Sequence, residues 1–177
     1  MMKYCFLLAL LPMAMAADLI SGPQLGQRPG PYSFLVATGP NAGQPTCFIC
    51  ETDAKPAAIV FSRKLTPNLV KLLTEFDNWV SGQPNEEVYS WMTVLGEKTI
   101  SQEALSKWSK EAGLRKVPVG VFDDPDGPPA YKLSKDAEVT VLLFVKRKVV
   151  ANYALKADEL NEKVIASIKQ DLSKLKK

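Results

Sequence analysis

The chain has 177 residues, 46% hydrophobic and 23% charged, with 22 Lys and Arg against 19 Asp and Glu for a formal net charge of +3. That length suits one core, and so mild a charge balance points neither to nucleic acid nor to an anionic surface as partner. Histidine is absent altogether, which excludes a Ser-His-Asp triad, a Cys-His dyad, a His-ligated metal and haem on an axial histidine.

Met1 to Lys3 form a short, weakly basic start, "YCFLLALLPMAM" is an apolar run, and Ala14-Met15-Ala16 sets small residues at positions −3 and −1 of a cleavage site. We read residues 1–16 as a secretory signal peptide, too short for a bilayer span of roughly 20 apolar residues. The mature chain is then secreted or periplasmic, and no other segment is apolar enough to cross a membrane. Residues 17–31, ending in "DLISGPQLGQRPGP", are polar and rich in Gly and Pro and suit an exposed linker. Residues 32–177 form the domain.

"YSFLVAT" (32–38) and "PTCFI" (45–49) flank the turn-rich "GPNAG" and predict an N-terminal hairpin. "AAIVF" (57–61) is a continuous apolar run, as expected of a strand covered on both faces. Thr66 then caps a helix with Pro67 in its first position, Leu69, Leu72, Leu73, Phe76 and Val80 on one side, and Gly82 past its end. "VYSWMTVL" (88–95) predicts a strand, and "SQEALSKWSKEAG" a helix capped by Ser101 and stopped by Gly113. "VPVGVF" (117–122) is a further strand, with Pro118 at its start or on an edge. "DDPDGPP" is a turn, and "AYKLS" a single helical turn. "EVTVLLFV" and "VVANYAL" make two strands joined tightly through Lys146-Arg147-Lys148. A last helix from about Ala157 lines up Leu160, Val164, Ile165, Ile168 and Leu172. This alternation implies a mixed sheet with helices on both faces.

Strand, long helix, strand, helix, acidic turn, antiparallel hairpin and terminal helix resemble the thioredoxin-like order. The front hairpin is similar to that of peroxiredoxins and their extracytoplasmic thiol-oxidoreductase relatives. The carriers are "KPAAIVFSRKLTPNLVKLL", "VPVGVFDDPDGPPAYKL" and "EVTVLLFVKRKVVANYAL", and the pattern covers nearly all of residues 30–175. The resemblance implies an α/β thioredoxin-like fold, thiol-disulfide chemistry with a protein thiol or disulfide as partner, and no bound cofactor. In that family the reactive cysteine follows the first core strand, near the N-terminus of the long helix. Here that place reads "FSRKLTPNLV", and where the family sets a cis-proline before the hairpin strand this chain has Val139 before Thr140. Peroxidase activity of the peroxiredoxin type is therefore not expected.

With Cys5 in the signal peptide, Cys47 and Cys50 are the cysteines of the mature chain, at C-x-x-C spacing before the core strand. Fully extended, they would lie roughly 10 Å apart at Cα. A disulfide needs Cα atoms within about 7 Å, so the pair closes only if "CFIC" turns. The residues leave three readings open. These are a structural or regulatory disulfide, redox exchange with a partner, and half of a metal site completed by a second chain. Lys55, Arg63 or Lys64 are the cations available to activate a thiol, and Glu51 and Asp53 oppose them. "ETDAKP" is too short for a helix that would help.

Asp123, Asp124 and Asp126 fall short of a complete calcium-loop pattern, and Pro125 and Gly127 explain them as a turn. Trp79, Trp91 and Trp108 fall in regular elements and read as core. Ser62, Arg63, Lys64 and Thr66 occupy the family's active-site place, either as an anion pocket at the helix N-terminus or as an ordinary cap with a basic loop, the reading we prefer.

Overall fold

The computed structural model describes residues 19–83, 88–96, 100–156 and 158–175. The expected signal peptide, its cleavage site and Cys5 lie outside them, as does Ala157.

The elements in chain order are β1 (Phe34–Val36), β2 (Pro45–Thr46), α1 (Phe48–Thr52), β3 (Ala57–Ser62), α2 (Pro67–Ser81), β4 (Tyr89–Leu95), α3 (Gln102–Glu111), β5 (Val119–Phe122), β6 (Val139–Val145), β7 (Lys148–Leu155) and α4 (Glu162–Asp171). Short 3-10 turns occupy Pro129–Tyr131 and Leu172–Leu175. One mixed sheet runs β2-β1-β5-β4-β3-β6-β7. Its β3, β4 and β5 are parallel, while β1 and β6 run against them. All six residues of β3 are buried, as its unbroken apolar run requires.

The helices begin where their caps put them. The side chains of Thr66, Ser101 and Asn161 accept hydrogen bonds from the amides of Leu69, Ala104 and Val164. The last of these moves the start of α4 later than the expected Ala157, because Asn161 rather than the residues before it supplies the cap. Leu160 stays buried ahead of that helix.

The expected helices on both faces are present but unequal. The residues of α2, α3 and α4 pack into one large core with Val60, Met92, Val119 and Val141 from the sheet. Both parallel crossovers progress in the same direction across the sheet, so right-handed connections set α2 and α3 on the same side. Among the described residues, the opposite face carries α1, the turn at Pro129–Tyr131 and the N-terminal segment. There Tyr32, Phe34, Phe61, Trp91, Tyr131 and Phe144 make an aromatic core.

Residues 19–31, polar in sequence and expected as an exposed linker, lie along this face and the β7 edge. Ser21 is fully buried, with its hydroxyl 2.7 Å from that of Thr140. The Asn152 amide donates to the carbonyls of Ser21 and Pro23, and Gly26 and Gln27 pair with Val149. Backbone pairing rather than apolar periodicity holds the segment, which is why hydropathy gave no sign of it. Among the described residues no helix is long and apolar enough to cross a membrane.

The hairpin forms with a shorter second strand than "PTCFI" suggested, since the chain leaves β2 after Thr46 and coils at once into α1. Its partner β1 lies tight against β5. A Cβ at Gly120 would come within 2.3 Å of the Leu35 carbonyl oxygen, so only glycine permits this approach. Pro118 precedes β5, which is an inner strand.

Asp77, buried on α2, accepts hydrogen bonds at one carboxylate oxygen from the amides of Arg115, Lys116 and Val117 at 2.9, 2.6 and 3.0 Å. It thereby fixes the loop that leads into β5.

Candidate functional site: the Cys47–Cys50 disulfide and its cavity

"CFIC" turns. Cys47 is the N-cap of α1, the Cys50 amide donates to the Cys47 carbonyl at 3.0 Å, and the two Cα atoms are 5.4 Å apart. The thiols are joined as a disulfide. The turn is held from below by Phe48, whose ring lies 5.7 Å from that of Phe34 and 5.5 Å from that of Trp91. Buried Thr52 closes it by donating its hydroxyl to the Ile49 carbonyl. The sequence predicts no helix here, because five residues carry too little periodicity to register. What forms it is the anchoring of Phe48 and Ile49 on the aromatic face, a tertiary effect.

From Cys47, next to β2, the helix α1 crosses the aromatic face and its C-terminal end reaches the start of β3. The β6–β7 turn meets it there, with Lys146 donating its amide to the Ala54 carbonyl and Arg147 paired with Asp53 at 2.5 Å. Next to the pair is a cavity of about 260 Å³, lined by Arg28, Pro29, Ile49, Cys50, Phe144 and Arg147 among others. Cys50 is exposed and Cys47 half-buried. Neither Arg28 nor Arg147 stood out in the sequence. The tight basic turn at residues 146–148 was the visible signal, but only the antiparallel register of β6 on β3 brings it beside the disulfide.

The other cations go elsewhere. Lys55 lies 5.7 Å over the ring of Tyr89. Lys64 pairs with Glu138 at 2.9 Å. Arg63 holds the loop 125–138: its Nε donates to the Ala137 carbonyl at 3.0 Å, Nη2 to that of Ser134 at 3.1 Å, and Nη1 to that of Pro125, while its own amide donates to the Glu138 carbonyl. Ser62 is buried and donates to the Lys64 carbonyl. The place after β3 is thus an arginine clamp over the loop 125–138 rather than a reactive pocket. It lies five residue steps from the start of β3, roughly 17 Å at a strand's rise. The aspartate stretch is a turn, with Asp124 accepting from the Asp126 amide and Asp126 paired with Lys135.

Among the described residues no group of three or more His, Cys, Asp or Glu side chains is placed to hold a metal. Oxidised, the cysteine pair has no thiolate to offer one. Trp91 is buried and donates its indole N–H to the Tyr32 hydroxyl at 2.8 Å. Trp79 and Trp108 pack against the larger core.

No protein-family model matches the sequence, and none of the curated proteins matches it. Solved structures do. A candidate protein disulfide isomerase from Bacteroides thetaiotaomicron superposes with a TM-score of 0.66 at 17% identity, over 89% of this chain and 94% of that one. A candidate thiol:disulfide interchange protein, DsbE, from Chlorobium tepidum gives 0.63 at 10%, over 86% and 97%. The exposed lipoprotein thioredoxin of Streptococcus pneumoniae gives 0.56 at 16%, over 82% and 100%.

This is a thioredoxin-like fold. Within it, the first core strand is β3 and the long helix after it is α2. The cysteines belong to the short helix α1 ahead of β3, and the place between β3 and α2 is taken by the arginine clamp. Identities this low establish the architecture, and the chemistry has to be argued from the site itself.

Proposed function

We propose that the protein is an extracytoplasmic thiol-disulfide exchange protein whose working pair is Cys47 and Cys50. The observation that carries this is an exposed Cys50 in a closed disulfide at the wall of a cavity. Size supports it. On the chain-entropy account, a disulfide closing a four-residue loop stabilises a fold by only about 2 kcal/mol, which is weak for a staple. The signal-like N-terminus and the persistence of disulfides in oxidising compartments support an extracytoplasmic setting, secreted or periplasmic. A protein thiol or disulfide is the partner expected for such a pair.

One observation favours a second reading, a partner-binding module without redox activity whose disulfide is structural. The place between first core strand and long helix, where the resembled family carries its reactive cysteine and this chain has none, is occupied by the Arg63 clamp. Equilibrating the protein with glutathione redox buffers separates the two. A reduction potential between roughly −120 and −270 mV, the span of exchange proteins, supports exchange, and a value below about −300 mV establishes the inert disulfide instead.

A further inference from the structure

We propose that the second cysteine, Cys50, is the sulfur through which this protein exchanges, and that the thiol it meets carries a carboxylate received by Arg28 and Arg147. The inference rests on the exchange reading above and adds to it the direction of attack and the class of substrate. A thiolate must reach the sulfur it attacks from the side opposite the bond it breaks, so access decides which sulfur is attacked. Cys50 is exposed and lines the cavity. Cys47 is half-buried and does not line it.

The same cavity selects by charge. Pro29, Ile49 and Phe144 give it an apolar lining, and among the described residues that line it two are cationic, Arg28 and Arg147, against one carboxylate, Asp53. Arg147 is held in place rather than free to sweep. It is the second of two residues with left-handed backbone, Lys146 at φ 52° and Arg147 at φ 60°, in the two-residue β6–β7 turn. Asp53 anchors it through both its carboxylate and its carbonyl. At about 260 Å³ the cavity is smaller than the usual small-molecule site. It suits a short cysteinyl peptide segment with an acidic group close to its thiol.

The step balances. A partner thiolate attacks Cys50 Sγ, the Cys47–Cys50 bond breaks, and the electron pair leaves on Cys47, which takes a proton from water. A second partner thiolate then attacks the partner sulfur of the mixed disulfide and releases Cys50 as thiolate. Two partner thiols are thereby oxidised to one disulfide, and the protein's disulfide is reduced to two thiols.

The test uses the oxidised full chain and two small thiols as probes, glutathione with its carboxylates and cysteamine with its amine. The mixture is quenched with iodoacetamide during the reaction and mapped by fragment mass spectrometry. Glutathione is expected on Cys50, with the alkyl group on Cys47. The rate ratio of glutathione to cysteamine is expected to fall about five-fold for each of Arg28→Gln and Arg147→Gln, the size of one close charge pair in water. Glutathione found on Cys47, or a ratio indifferent to both arginines, overturns the proposal while leaving exchange standing. If neither sulfur reacts and the potential lies below about −300 mV, the exchange reading falls as well. The Cys47→Ser and Cys50→Ser chains give an independent measure. With oxidised glutathione, and rates referred to the thiolate through a pH profile, the Cys47→Ser chain should form its mixed disulfide about ten-fold faster, because access limits the other. Equal rates, or the reverse order, refute it.

Discussion

Reducing the disulfide should leave the fold standing. Closing a loop of four residues removes about 2 kcal/mol of unfolded-state entropy. The native turn does not rely on the bond for its shape. Phe48 is held between Phe34 and Trp91, the Cys50 amide keeps its bond to the Cys47 carbonyl, and Thr52 is buried and bonded to Ile49. The loss on reduction should therefore approach the entropic figure alone. For a chain of this size that is a fall in melting temperature of about 4–8 °C. The assay is thermal unfolding followed by far-UV circular dichroism, comparing the oxidised protein with the protein under excess phosphine reductant and with the Cys47→Ser/Cys50→Ser chain. A fall beyond about 15 °C, or failure of the reduced chain to fold, would show the disulfide to be a principal support. The disulfide would then be a staple in its own right, and its small loop would no longer favour exchange over stability.

Two other outcomes follow from the same geometry. Arg63→Ala removes three hydrogen bonds from a charged donor to the carbonyls of Pro125, Ser134 and Ala137, and should cost about 3 kcal/mol, read as a lower urea midpoint. Arg63→Lys should recover little of it, since one ammonium cannot span three carbonyls. The rate of glutathione exchange should be unchanged in both, and a slowed rate would tie the clamp to the chemistry. Alkaline pH should unfold the protein in a window set by its tyrosines. Burial pushes the Tyr32 and Tyr131 hydroxyls well above the ordinary phenol range, with the neighbouring Tyr32 charge adding to the effect on Tyr131. Burial and the adjacent Asp171 carboxylate push Tyr153 up to about 12. The folded state therefore holds protons that the unfolded chain loses near pH 10. The stability from these groups is complete below about pH 10 and drains away as pH rises through the folded-state values. Absorbance at 295 nm and circular dichroism should change together above pH 10. Full ionisation of all tyrosines with the fold intact would refute this.

Much of this fold could be read from its residues because local signals and tertiary structure agree. Thr66-Pro67 begins α2 as a cap and first-turn proline should, and Ala57 to Phe61 is the fully buried strand its composition describes. What could not be read depends on contacts distant in sequence. The N-terminal segment is tied down by Asn152 and Val149, more than a hundred residues away. The capture of three amides by Asp77 leaves no trace in an amphipathic pattern that would place an aspartate at the surface. At the candidate site the requirement that "CFIC" bend was a matter of covalent reach and could be stated in advance. That it bends around Phe48, and that Arg147 arrives beside it, are consequences of sheet register and of an aromatic face no periodicity displays.

In open sheets with parallel strands, sites form beyond the carboxyl ends, where loops diverge. Here those ends belong to β3, β4 and β5, and Arg63 holds the loop 125–138 there, each of its three guanidinium nitrogens donating to a backbone carbonyl. The face that bears the disulfide carries a five-residue helix where the opposite face carries three longer ones. A disulfide on so thin a layer is reachable from outside while its turn rests on the core. Exchange requires that combination: a sulfur open to in-line attack, and a backbone that keeps its partner sulfur within bonding distance once the bond has broken. On the exchange reading proposed above, cysteines placed before the strand rather than after it put the reactive pair on the thinly covered face, on a helix that the Arg63 clamp does not touch.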